Sequence, residues 1–261
     1  MQNIPTQASF HLHRVLHRLA MLSAILYIAA SALALPSQTQ PAASSSTQLT
    51  SQQIIQRIDD AVYRRFNAIS GYTVQEQYNL YRNADPNPAA QETIKTTYTR
   101  SVGKEYIAIA QSGSAVLRSA VIDHVLAGEK EVNLAANREG ALITSKNYDL
   151  DPQPGIVEKN SRQCILVTLK PLRKSTHLFT GKMWIDASDF TVVRLEGTPS
   201  ESPSAFAGHT TVARDYIQVD GFSMATHAEA HSHSFLFGDT TLKIDYTNYK
   251  IDLDPNPQPA H

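Results

Sequence analysis

Gln163-Cys-Ile-Leu-Val-Thr-Leu169 opens a series of short apolar runs. Gly181-Lys-Met-Trp-Ile-Asp186, Phe190-Thr-Val-Val-Arg-Leu-Glu196 and Thr241-Leu-Lys-Ile-Asp-Tyr246 continue it. Each run is rich in β-branched and aromatic residues, partly alternates with polar ones and is bounded by turn residues, so each reads as a strand. Asp186-Ala-Ser-Asp189 and Val219-Asp-Gly-Phe222 read as hairpin turns, Asp-Gly being suited to the positive φ angles of a type I′ turn. From Gln163 to Ile251 the chain is therefore strand after strand. An open antiparallel sheet of that size must curl or split.

Working toward the N-terminus, Thr50 and Gln53 fit a capping box. Ile54, Ile58, Val62 and Phe66 then recur every four residues, with Ile55 and Ile69 beside them and Arg57, Asp59, Asp60 and Arg64 on the polar side. This is an amphipathic helix whose apolar stripe needs the sheet as its partner. Gly71 is expected to end it. Tyr72 to Tyr81, Glu92 to Val102 and Glu105 to Ala110 read as further strands, with a tight turn at Gly103-Lys104. Ser114 can cap a second helical region running to about Asn137, which Gly128 would end or kink. The expected fold class is α+β: a curved antiparallel sheet, an incomplete β-barrel, with helices packed on its concave face. Such an arrangement leaves an apolar hollow between the layers.

The termini read differently. Arg14 and Arg18 precede an apolar run from Leu19 to Leu35 that contains Ala32-Leu33-Ala34, the pattern of a secretory signal cut after Ala34. The alternative is one uncleaved membrane anchor, since the run approaches the minimum span of ~17–25 residues; Pro36 and the small residues at the cleavage site favour the signal. Residues 35–49 read as a disordered linker, 50–252 as the folded domain and 253–261 as a disordered, proline-rich tail. Cleavage removes two arginines and no acid, moving the net charge from −1 to −3. That near-neutral balance, with no basic block, argues against nucleic acid as a partner. The single cysteine, Cys164, excludes an intramolecular disulfide and reads as a buried, inert thiol.

No P-loop, Gly-x-Ser-x-Gly, His-Glu-x-x-His or dinucleotide fingerprint is present. Ser101-Val-Gly-Lys104 matches a Ser-x-x-Lys spacing, but without the partner motifs that would make it catalytic. His227-Ala-Glu-Ala-His-Ser-His233 would place His227, His231 and His233 on one face of a strand. They are weak zinc ligands as a set, because same-face neighbours stand ~6.5–7 Å apart and a tetrahedral site would need a second element. No metal or other cofactor is expected. Tyr106, Trp184, Phe190, Tyr216, Phe222 and Tyr246 are the candidate lining of an apolar ligand cavity, with Phe235 and Tyr249 beside them.

The stretch Gly181-Lys-Met-Trp-Ile-Asp-Ala-Ser-Asp-Phe-Thr-Val-Val-Arg-Leu-Glu-Gly-Thr-Pro199 resembles bacterial outer-membrane lipoprotein-sorting proteins of the LolA/LolB-like superfamily. Ser202-Pro-Ser204, Asp220-Gly-Phe222, Leu242-Lys-Ile-Asp-Tyr-Thr-Asn-Tyr249 and Asn147-Tyr148 extend the resemblance, which covers about residues 50–251. It implies a half-barrel that binds lipid or lipoprotein acyl chains in the periplasm, without catalysis, as a monomeric carrier. Residues 114–137 would be its lid. Two alternatives stay open: an envelope stress-sensing module that contacts membrane proteins, and a zinc-dependent hydrolase on the His227–His233 face.

Overall fold

A computed structural model describes residues 49–201, 207–234 and 238–257. The segments read as signal peptide and linker up to residue 48, the Ser202-Pro-Ser204 loop, Phe235 and the last four residues lie outside the described residues. Among the described residues, no helix is long and apolar enough to cross a membrane.

Helix α1 spans Ser51–Ala68 and begins with the expected capping box: the Gln53 amide donates to Thr50 Oγ1 at 3.2 Å, and the Thr50 amide donates to Gln53 Oε1 at 2.9 Å. Its end departs from expectation. Ile69 is already extended (φ −85°, ψ 113°), and the chain passes directly into strand β1, Ile69–Arg82. No glycine cap is needed, because Arg100 donates from Nη2 to the carbonyls of Asn67 (2.6 Å), Ile69 (2.7 Å) and Phe66 (3.2 Å), supplying donors that the helix end lacks. Gly71 serves β1 instead: a Cβ there would lie 2.9 Å from the carbonyl oxygen of Tyr98 on the neighbouring strand.

The strands that follow are β2 (Ala90–Thr99), β3 (Gly103–Gly113), β4 (Tyr148–Pro152), β5 (Val157–Lys159), β6 (Arg162–Pro171), β7 (Phe179–Asp186), β8 (Val192–Pro199), β9 (Ala207–Val219), β10 (Phe222–Ser234) and β11 (Gly238–Leu253). With β1 they form one antiparallel, unclosed sheet of eleven strands in the order β3-β2-β1-β11-β10-β9-β8-β7-β6-β4, with β5 also on β6. Asp220 and Gly221 both have positive φ (50° and 81°), as the type I′ reading of that hairpin requires. The turn before β3 falls at residues 100–102 and not at Gly103-Lys104, and Gly103 opens the strand two residues earlier than expected. Leu253 closes β11, and Asp254, read as tail, pairs with Arg100 Nη1 at 2.6 Å.

The second helical region is broken by geometry and not by Gly128. Ser114 caps a single turn, α2 (Ala115–Leu117), which passes through a π-turn at Arg118–Ile122 into α3 (Asp123–Val132). Gly128 sits inside α3, with nothing within 4 Å of where a Cβ would stand. α3 stops at Val132, short of Asn137.

Two apolar clusters result. One joins Ile58 and Ala61 of α1 to Leu150, Val167, Leu169, Met183, Ile185 and Leu195. The other joins Leu117 and Ile122 to Tyr78, Leu80, Ile94, Ala228, Leu242 and Ile244. α1 thus covers one part of the concave face and the α2–α3 segment another. Because Arg100 holds the α1 terminus, Arg100→Met should lower stability by about 1.5–3 kcal/mol, the usual range for hydrogen bonds to a charged group. A urea midpoint unchanged from the parent protein would show that the helix end needs no such donor.

Candidate functional site

A cavity of about 820 Å³ lies between the concave face and the helices. Alternation along each strand sends one set of side chains into it. Val74, Leu242, Ile244, Ala228, Val212, Leu195 and Met183 form an apolar floor; Ile58, Val62 and Phe66 of α1 and Val125, Ala127 and Val132 of α3 face it from above. The register carries one row across the sheet, from Glu92 through Tyr78, Ile244, Ala228, Arg214, Leu195 and Met183 to Val167. Arg214 is the cation of that row.

The polar part of the site is organised by Glu129 on α3. Its Oε2 lies 2.7 Å from Lys104 Nζ of β3, and its Oε1 lies 3.1 Å from Arg214 Nη2 of β9. Burial alone would raise the Glu129 carboxyl, but the Lys104 ammonium and the Arg214 guanidinium outweigh it and hold it well below the usual carboxylate range. Lys104 is likewise opposed by burial and held well above its ordinary value by Glu129. Arg214 keeps 29% of its side-chain surface accessible, and it lines the cavity, so that surface opens on the lumen. Tyr72 stacks on Tyr98 with ring centroids 5.0 Å apart, Tyr249 lies 6.1 Å from Tyr72, and Arg138 donates from Nη1 to the Tyr98 hydroxyl. Glu76, almost fully buried, accepts a hydrogen bond from the Tyr78 hydroxyl. Burial pushes the Tyr246 and Tyr249 phenols up, so both stay neutral.

Of the aromatic residues singled out from sequence, Phe190, Tyr216, Phe222 and Tyr246 line the cavity, as does Tyr249. Trp184 does not. Met183 and Ile185 take the inward positions of β7, so alternation turns Trp184 outward, where Lys159 Nζ stands 4.5 Å over its ring. Tyr106 packs against the cluster that contains Leu117 and Ile122 and does not line the cavity.

His227, His231 and His233 each take a separate partner across the β10–β11 pair: Asp245 at 2.7 Å, Thr241 at 2.9 Å and Asp239 at 2.6 Å. Among the described residues, no group of three or more His, Cys, Asp or Glu side chains is placed to hold a metal ion. Lys104 of the Ser-x-x-Lys pattern is committed to Glu129, while Ser101 stands exposed in the turn. Cys164 is fully buried.

Sequence reasoning passed over Glu129, Arg214 and Glu76, and met Lys104 only in a turn and in the Ser-x-x-Lys spacing. Two of them leave a signal in the alternation. Arg214 falls in phase with Val212 and Tyr216, and Glu76 in phase with Val74 and Tyr78, so both are charges on an apolar face.

No family model matches the chain, and no curated protein matches it. Solved structures do. A LolA superfamily protein from Nitrosomonas europaea is 13% identical over 79% of this chain and 96% of its own, with a TM-score of 0.43. A DUF1329 family protein from Desulfovibrio piger is 11% identical over 76% and 93%, with a TM-score of 0.39. An outer membrane lipoprotein-sorting protein domain from Vibrio parahaemolyticus is 12% identical over 77% and 91%, with a TM-score of 0.42.

The depressed Glu129 carboxyl gives a pH signature. A group lowered on folding contributes its full stability above its ordinary value, here 4.5, and loses it progressively as the pH falls from there to the folded value. Hydrogen-exchange protection factors in α3 should therefore hold from about pH 8 to about pH 5 and decline steadily below 4.5. A loss of protection already between about pH 6 and about pH 5 would show that Glu129 is not held this way.

Proposed function

We propose that this protein is a non-catalytic carrier, acting in the periplasm, that encloses the acyl chains of a lipid or lipoprotein in its half-barrel. The cavity supports this reading: about 820 Å³, with an apolar floor, under a helix, α3, that has no buried residue of its own. That volume falls within the ~300–1,000 Å³ of ordinary ligand sites. Each buried methylene contributes roughly 0.8 kcal/mol, so a chain of about sixteen gains roughly 13 kcal/mol before association costs of ~4–15 kcal/mol are subtracted. At the low end of those costs, about 4 kcal/mol for a cavity already formed, roughly 9 kcal/mol remains, which is binding near the micromolar range. Release needs α3 to lift. A segment with few buried contacts opens at low free energy, which suits a lid.

Native mass spectrometry of protein drawn from a periplasmic extract should reveal co-purifying lipid, and a fluorescent fatty acid should bind with one site. Ala230 lines the cavity floor with a small side chain. Ala230→Trp should reduce that binding at least tenfold while the far-ultraviolet dichroism stays that of the parent. Absence of lipid together with undiminished fatty-acid binding in the filled variant would overturn the proposal.

Export is the second component. N-terminal sequencing of the exported protein should begin at Leu35. A membrane-retained chain starting at Met1 would replace the cleaved signal with an anchor.

A further inference from the structure

Glu129 sits in a cradle that an incoming ligand could use. Lys104 and Arg214 come from strands β3 and β9, with β2, β1, β11 and β10 between them in the sheet, and they converge on one carboxylate, one cation to each oxygen. The carboxylate of Glu76 on β1, which accepts a hydrogen bond from the Tyr78 hydroxyl, also lines the cavity, so what the cradle offers an anion is the converging donors of Lys104 and Arg214 and not a net charge. Among the described residues, Arg214 Nε–H has no hydrogen-bond partner although it is buried. A donor on a guanidinium, left unpaired beside a lumen, is worth most to an anion. Ala228 lies next to Arg214 in the row and Ile244 follows it, so an apolar chain placed on the floor would run directly from the cradle.

Resting on the carrier reading above, we infer that the cargo is an amphiphile with one anionic head group, and that Glu129 of the lid occupies the head-group site until the ligand replaces it. The carboxylate of Glu129 has the same charge and the same bidentate shape as a fatty carboxylate. Head-group binding and lid release are then one exchange: the ligand's anion takes Lys104 and Arg214, and α3 loses the ionic contact that ties it to both strands. Tyr246 stays neutral and lines the same cavity, a hydroxyl available beside the exchanged anion.

The test compares three probes on the wild-type chain: palmitate, hexadecanol and inorganic phosphate. Palmitate should bind at least tenfold more tightly than hexadecanol, and it alone should reduce hydrogen-exchange protection in α3. Glu129→Gln, which removes the competing carboxylate, should widen the preference for palmitate at least a further threefold, and Arg214→Met should collapse it toward unity. Equal affinity for palmitate and hexadecanol would overturn the inference and leave the carrier reading standing. Failure of both to bind would overturn the carrier reading itself. Phosphate binding as tight as palmitate binding would assign the cradle to a free anion and overturn the amphiphile class. The comparison on the wild-type chain decides the matter even if a variant does not fold.

Discussion

One carboxylate, Glu129, touches two strands that a flat sheet would hold far apart. Five interstrand steps of ~4.8 Å separate β3 from β9, roughly 24 Å in a flat sheet. Lys104 and Arg214 nevertheless reach the same carboxylate within 3.1 Å. The sheet must therefore wrap around α3, and the cavity is the space enclosed by that wrapping. The curvature has a plain origin. Eleven twisted strands with one apolar face cannot stay open and flat. Among the described residues, α1 and the α2–α3 segment cover that face and leave a hollow of about 820 Å³.

Charges inside such a hollow are costly to desolvate unless they are paired and hydrogen-bonded. Lys104, Glu129 and Arg214 meet that condition among themselves except at the unpaired Arg214 Nε–H, and all three line the lumen. The cluster therefore combines strong mutual attraction with accessibility. A purely apolar seam would hold α3 with no dependence on what enters the cavity. An ionic seam is sensitive to a competing charge, which is why the same three residues bear on both lid position and ligand choice.

Much of the fold was legible because local chemistry and global arrangement agree. The capping box at Thr50 and Gln53, the Ile54–Phe66 stripe and the Asp220-Gly221 hairpin all formed as their residues imply. Where reading by residue type failed, a distant partner had intervened. Gly71 resembles a helix stop, yet Arg100, some thirty residues on, caps α1, and Gly71 admits the backbone of β2. Gly128 resembles a break, yet α3 runs through it, with open space where a Cβ would stand. Trp184 was an obvious cavity residue by size, but size says nothing of phase, and Met183 and Ile185 hold the inward positions.

The sequence by itself determined most of the strands (β4 and β5 apart), the first helix and the need for a concave apolar face, since periodicity, turn chemistry and capping act over a few residues. Only the tertiary structure decided which side chains share the cavity and which charges meet there. Lys104, Glu129 and Arg214 are spread over 110 residues of chain and three separate elements. Their meeting depends on register and on the curl of the whole sheet, and both are sums over many strand pairings that no local pattern contains.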